Sequence, residues 1–278
     1  MDRIPFGIGR LDSRIGGGVP SGSVVLLAGE AGAGAREFVY TSAVLNGLQT
    51  ADPELFSLHY GDLHADATPP NGIHYVSFTA DADDIRGEIA FAMDREMVDA
   101  GLDPVEFVDL SPEFFQLSPV PHDWYADSHR SITDIGRGSD RRGVLEAFAD
   151  YLDAHAGGGL VLVDSLDDLL EVGRETVQFS DVVLLLKGLR RASREWDGLV
   201  MILLEKDAVT DRQLGSLMTA VDGTIQFEWE TGGNERVRTM FVNEFRGVLS
   251  RLEAEDIIRF ETEIHDAGFD VSNIRKIR

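Results

Sequence analysis

Val24-Val25-Leu26-Leu27-Ala28-Gly29-Glu30-Ala31-Gly32-Ala33-Gly34-Ala35-Arg36-Glu37-Phe38 is an apolar, β-branched run that enters a glycine-bearing loop and leaves it in a helix-compatible pattern from Ala35 to Leu48. Strand, tight loop and helix in that order form the setting of a Walker A loop, where backbone amides at a helix N-terminus cradle phosphate. Gly29 and Gly34 have the spacing of G-x-x-x-x-G-K-[ST], but Ala35 and Arg36 stand where lysine and serine or threonine belong. The turn and the helix dipole survive that change, so Gly29, Gly32, Gly34, Ala35 and Arg36 are the candidate nucleotide-binding residues. The chemistry does not survive, because no amine is left to reach the β/γ-phosphates and no hydroxyl to hold Mg²⁺. Losing one charge-assisted contact costs roughly 1.5–3 kcal/mol, or about one to two decades of affinity. The expectation is weak ATP or ADP binding at most, without efficient hydrolysis. Arg36 either brings replacement charge to a phosphate or is a solvated first-turn residue; the second reading is the simpler.

The chain of 278 residues is long enough for one large α/β domain. Its 49 acidic and 25 basic residues give a formal charge of −24, a field that disfavours nucleic acid and anionic membrane as partners. The surplus is spread along the sequence, and lysine is scarce beside arginine, as in proteins of a high-salt cytoplasm. With no cysteine, disulfides, thiolate metal sites and cysteine nucleophiles are excluded. Met1-Asp2-Arg3-Ile4-Pro5 opens no apolar core of signal-peptide length, and the longest apolar run, near Leu199–Leu204, is too short to span a bilayer. The expectation is a cytoplasmic protein without membrane insertion.

Ahead of the loop, Leu11-Asp12 is followed by Gly16-Gly17-Gly18-Val19-Pro20-Ser21-Gly22. This opening, the strand and the phosphate-type loop together resemble the KaiC/RadA branch of the RecA-like ATPases, with its gas-vesicle-regulator and archaellum-associated relatives. Within that branch the chain resembles a degenerate haloarchaeal KaiC-like member. The fold implied is RecA-like: a mostly parallel central sheet flanked by helices, with a C-terminal antiparallel hairpin extension. A single domain is expected over 1–278, with insertions at about 50–71 and 111–143.

Further along, Thr50–Asn71, with Pro53, Pro69 and Pro70, reads as a surface insertion, and its His59 and His64 as solvated rather than metal-bound. Ile73–Phe78 resembles the family's Tyr-Val-Ser-Phe strand, but Thr79 and Ala80 stand where the resemblance places a glutamate pair that activates water. Neither can be a general base. Asp83 reads as the N-cap of a helix running to about Val98, and Asp81 as a remote substitute base. Val105–Leu110 is a third strand, and Ser111–Gly143 an irregular segment whose Phe114, Phe115, Trp124 and Tyr125 either dock a partner or pack down as a lid. Val144–Ala156 is an amphipathic helix. Gly159-Leu160-Val161-Leu162-Val163-Asp164-Ser165 matches a Walker B strand, which puts Asp164 and Ser165 at the carboxyl end of a buried parallel strand. A helix over Phe179–Arg194, the strand Leu199–Leu204 and a helix over Asp211–Met218 follow. Thr224–Glu230, Gly232-Gly233 and Val237–Asn243 read as a hairpin.

Asn243-Glu244-Phe245-Arg246-Gly247 occupies the place of the family's Lys-Met-Arg-Gly, whose lysine and arginine reach a neighbouring subunit's γ-phosphate. Arg246 is kept and the lysine position is Glu244, a charge reversal. Three catalytic elements are thus altered together: the phosphate lysine with its hydroxyl, the glutamate pair and the trans lysine. The function implied is a pseudo-ATPase that regulates or scaffolds through a protein partner, of a sensory, motility or gas-vesicle kind by resemblance, with homo-oligomerisation open. The alternative is a slow nucleotide switch using Arg36 and Asp164; a recombinase-like DNA binder ranks third.

Overall fold

Short apolar runs alternate with amphipathic stretches, the pattern of strands that must be covered on both faces. The computed structural model describes residues 2–116, 118–125, 143–171, 177–232, 235–243, 245, 248–249, 252 and 257–276. The chain opens with β1 (Arg3–Ile4), α1 (Gly9–Ile15), β2 (Val19–Pro20), β3 (Ser23–Gly29), α2 (Ala35–Ala51) and α3 (Pro53–Tyr60). It continues through β4 (Ile73–Ser77), α4 (Ala82–Ala92), α5 (Arg95–Gly101), β5 (Val105–Asp109), α6 (Ser111–Phe115), α7 (Val144–His155) and β6 (Leu160–Asp164). After α8 (Leu166–Glu171), α9 (Phe179–Trp196), β7 (Leu199–Glu205) and α10 (Asp211–Ala220), it closes with β8 (Gly223–Gly232), β9 (Glu235–Asn243), β10 (Ile257–His265) and β11 (Gly268–Lys276).

Among the described residues the main sheet has nine strands in the order β11-β10-β9-β8-β3-β7-β6-β4-β5. The ladder is parallel from β5 to β8 and antiparallel from β8 to β11. This is the mostly parallel α/β sheet with an antiparallel C-terminal extension that the sequence implies. β3 lies at its centre, buried throughout, with side chains alternating between two cores. Val25 and Leu27 meet Phe38 and α2 on one face; Val24, Leu26 and Ala28 meet α9 and α10 on the other. Phe38 is the hinge pin of the first core, its ring 5.4 Å from Phe6, 5.5 Å from Phe227 and 5.3 Å from Phe269, all edge-on. It ties the helix after the loop to both the opening segment and the C-terminal strands.

Several boundaries differ from those expected. The region 50–71 is not wholly irregular: α2 runs on to Ala51, and α3 begins at Pro53, where a missing amide costs nothing in the first turn, with the Asp52 side chain accepting from the Leu55 amide. Asp81, not Asp83, caps α4, accepting from the Asp83 and Asp84 amides, which spends the proposed substitute base on local structure. The helix expected to reach Val98 breaks at Met93, whose backbone is extended, and Asp94 starts α5 while its amide donates to the Asp266 carbonyl at 2.6 Å. The tip of the β10–β11 hairpin therefore sets that break, a long-range contact no local pattern reveals. In 111–143 the described part contains α6 and a single 3₁₀ turn at His122–Trp124; Phe114 packs on the second core and Trp124 is exposed.

Asp12 holds the opening segment. Fully buried, its carboxylate accepts from the amides of Phe6 (2.9 Å), Gly7 (2.9 Å) and Ile8 (3.1 Å) and from the Tyr60 hydroxyl (3.2 Å). Burial pushes its pKa up from 3.8 to about 7 against the pull of those four donors. A folded pKa above the unfolded one means that this contribution to stability is present below pH 3.8 and is lost as pH rises through about 7. Asp12→Asn, whose amide turns a donor toward donors, is expected to destabilise by about 1–3 kcal/mol at neutral pH. It should also flatten the pH dependence of stability across that window, which urea melts of both proteins measure.

Candidate functional site

The turn from β3 into α2 has the form the sequence predicts. Gly34, at φ +111°, precedes the first residue of α2 in the left-handed region, and a Cβ there would lie 3.0 Å from the Phe269 ring. Gly29 lies so close to Ala35 that a Cβ would come within 2.6 Å of it. The outer side of the loop is fastened to the β8–β9 hairpin. The Trp229 indole donates to the Ala31 carbonyl at 3.0 Å, Arg238 Nε to the Gly32 carbonyl at 2.9 Å, and the Trp229 amide to the Glu30 carboxylate at 3.1 Å. Arg236 and Arg238 stack on Trp229 at 4.1 and 4.5 Å from its ring centre. Protein contacts thus fix the outer side of the loop at Glu30, Ala31 and Gly32.

Arg36 is not the solvated first-turn residue that the simpler reading made it. Its Nη1 donates to Asp164 Oδ2 at 2.6 Å, joining the first turn of α2 to the end of β6. The Arg36 side chain is 47% exposed and that of Asp164 10%, so the pair is wet on one side only. The buried Tyr75 hydroxyl donates to the same oxygen at 2.7 Å. One turn along α2, Tyr40 donates to Glu88 Oε2 on α4 at 2.6 Å. The cause is desolvation: a carboxylate at the end of a buried parallel strand needs a charged partner. Burial pushes the Asp164 carboxyl up, and the Arg36 guanidinium followed by the Tyr75 hydrogen bond pulls it back. Burial opposes the Arg36 charge in turn, but Asp164, Tyr40 and Tyr75 outweigh it and raise that pKa.

Gly29, Gly32, Gly34, Ala35 and Arg36 share one cleft of about 230 Å³, which Glu30, Glu37, Asp167 and Glu205 also line. That is below the roughly 300–1,000 Å³ usual for small-molecule sites. Its wall is acidic, and Arg36 is committed to Asp164. Glu205 Oε1 is buried without a hydrogen-bond partner among the described residues, and burial followed by the Asp167 and Asp207 charges raises its pKa. Ser165 does not line the cleft. Its amide and hydroxyl donate to Asp168 Oδ2 at 3.2 and 3.3 Å, and the Asp164–Ser165 peptide bond before it is cis. Thr79 and Ala80 donate their amides to Ser77 Oγ and present no carboxylate. Arg246 and Glu244 lie outside the described residues. A larger cavity, about 610 Å³, opens between α1 and β11, where Arg10 is spent on the Val271 carbonyl and Asp270.

Tyr40, Tyr75, Glu88, Trp229 and Arg238 are site residues the sequence reading missed. Tyr40 had a signal, since it stands four residues after Arg36 on one helix face. Tyr75 had none: it reaches Asp164 because β4 neighbours β6 in parallel register, Ser77 beside Asp164. Trp229 and Arg238 face each other across the hairpin, and only the placement of β8 beside β3 sets them over the loop.

No family model matches the chain, and no curated protein matches it. Among solved structures it is similar to a KaiC-like protein from Pyrococcus horikoshii OT3, with a TM-score of 0.62 and 19% identity over 98% of this chain and 99% of that one. It is also similar to the flagellar accessory protein FlaH from Methanocaldococcus jannaschii, with a TM-score of 0.56 and 15% identity over 98% of this chain and 99% of that one. At such identities the likeness is one of fold, the RecA-like P-loop architecture. Among the described residues no helix is long and apolar enough to cross a membrane.

The Arg36–Asp164 bond predicts a measurable coupling. Arg36→Ala and Asp164→Asn, combined in a double-mutant cycle, are expected to give about 1–2 kcal/mol, between an exposed and a buried pair. Arg36→Ala alone should cost more than Asp164→Asn, because it leaves a buried carboxylate with only a phenol as partner. Denaturant melts of the four proteins test both statements.

Proposed function

We propose that this chain is a RecA-like domain that does not hydrolyse nucleotide and works as a cytoplasmic regulatory or scaffold protein through a protein partner. The observation that carries the reading is the 2.6 Å bond from Arg36 to Asp164. In an active site of this architecture the Walker B aspartate orients Mg²⁺ and its water, and the Walker A lysine and hydroxyl hold phosphate and metal. Here a guanidinium and a phenol occupy the oxygen facing the loop, Ala35 offers no amine, and four carboxylates line the cleft. These groups do not fit a Mg²⁺-nucleoside triphosphate: the cation's place is taken by a tethered charge and the wall repels phosphate. A single domain over 1–278, with its two inserted segments, belongs to the same reading. So does a partner of the motility, sensory or gas-vesicle class, for which the likeness to a flagellar accessory protein is the support. The formal charge of −24 stands against nucleic acid as the partner.

One observation favours a second reading. Arg36 lines the cleft and is half exposed, so it can leave Asp164 for a phosphate and act as an unconventional binding residue in a slow switch.

Isothermal titration with ATP and ADP, with and without Mg²⁺, decides between the two. The first reading expects no saturable Mg²⁺-dependent binding at millimolar nucleotide and no phosphate release. Tight Mg²⁺-dependent binding with turnover that Asp164→Asn abolishes would overturn it. The double substitution Ala35→Lys/Arg36→Ser, which restores both missing groups and frees Asp164, is expected to raise ATP affinity by about tenfold or more.

A further inference from the structure

The cavity of about 610 Å³ between α1 and β11 shares no lining residue with the loop cleft. Its volume falls inside the roughly 300–1,000 Å³ range of small-molecule sites. α1 buries Leu11, Asp12 and Ile15 and leaves Arg10, Ser13 and Arg14 exposed, at the i, i+3, i+4 spacing of neighbours on one helix stripe. All three line the cavity, with Val271 and Ser272 of β11. At Gly9 the backbone of α1 lies against the end of α3, since a Cβ there would strike the Tyr60 carbonyl. Gly61, at φ +89°, turns the chain out of α3, and Asp62 joins Tyr60 in the lining.

The groups assembled there have a definite chemistry. Two guanidiniums share one concave site in a chain with 25 basic residues against 49 acidic ones. The contacts of Arg10 with the Val271 carbonyl and Asp270 are both made by Nη1, and its side chain is 65% exposed. Among the described residues its Nε and Nη2 donate to nothing, while the tether holds the fork at the cavity and lowers the freedom lost on binding. Two such forks carry more donors than the two oxygens of a carboxylate accept, and they suit the three oxygens of a phosphate monoester. Asp62 accepts hydrogen bonds from hydroxyl groups, and so does Ser272, whose own hydroxyl donates to the Glu261 carbonyl at 3.3 Å. Asp62 and Asp270 also limit the negative charge the site tolerates, which favours a single phosphate over a polyphosphate.

We propose that this cavity binds a small, singly phosphorylated polyol of the sugar-phosphate class, with Arg10 and Arg14 on the phosphate and Asp62 and Ser272 on the hydroxyl groups. Bare phosphate would leave most of the volume unfilled. A nucleobase finds no clamp, because Tyr60, the one aromatic residue of the lining among the described residues, has a ring face stacked on Phe56 at 4.6 Å and its hydroxyl bonded to Asp12. The inference does not rest on the nucleotide reading, since the two cavities have separate linings.

Isothermal titration of the full chain with ribose 5-phosphate, glucose 6-phosphate and glycerol 3-phosphate, beside ribose, inorganic phosphate and AMP, tests it. The expected result is saturable binding of at least one of the three polyol phosphates, about tenfold or more tighter than that of inorganic phosphate, with none for ribose. Arg14→Ala, and Ser13→Trp, which fills the cavity, are each expected to weaken it by about tenfold or more. Asp62→Asn should narrow the preference over inorganic phosphate by about fivefold, because it removes a hydroxyl acceptor and a charge that repels the bare anion. A residue that only supported the fold would weaken both ligands alike. Circular dichroism melts confirm that the variants fold, all three being at exposed positions. Absence of saturable binding for all three polyol phosphates at millimolar concentration, binding no tighter than that of inorganic phosphate, binding indifferent to both Arg14→Ala and Ser13→Trp, or AMP bound more tightly than every polyol phosphate would each overturn the proposal.

Discussion

A buried carboxylate at the end of a parallel strand has to be neutralised, and in this molecule the neutralising charge comes from the first turn of the helix after the phosphate-type loop. The Arg36–Asp164 contact links α2 to β6 across the carboxyl edge of the sheet, with Tyr75 closing the buried side. In the nucleotide-binding members of this architecture, a metal and its phosphates span that gap. Here the Arg36 guanidinium reaches Asp164 directly. Trp229 and Arg238 fasten the loop's outer carbonyls.

The cleft beside that contact has an acidic lining. With a phosphate in place, Glu30, Glu37, Asp167 and Glu205 around one small cavity would be costly. In the fold Glu30 is paired to the hairpin through the Trp229 amide, Asp167 accepts from the Glu205 amide, and Glu205 is shifted toward its neutral form by burial. These four carboxylates come from the loop after β3, from α2, from α8 and from β7, yet they line one cleft.

The fold has two anchors besides the ion pair. Asp12 gathers the opening segment onto α3, and Phe38 joins α2 to the C-terminal strands through three edge-on ring contacts. Because the β10–β11 tip also sets the break between α4 and α5, the antiparallel extension is part of the core rather than an appendage.

The sequence alone determined the order of elements, the form of the loop and the presence of Ala35 and Arg36 in place of a lysine and a hydroxyl. Those are local matters: a run of β-branched residues, glycines at fixed offsets, an amine or a hydroxyl present or absent. It also put Asp164 at the end of a buried strand, since four apolar residues before an aspartate carry that much. It misjudged what depends on a distant partner: the helix at Pro53–Tyr60, the cap at Asp81, the break at Met93 and above all Arg36, which a one-dimensional reading leaves in solvent. Only the tertiary structure brings residue 36 to residue 164, because that meeting requires β3, β7, β6 and β4 to lie side by side in register. Strand order is set by long-range packing of the two cores, and the pairing of Arg36 with Asp164 depends on that placement.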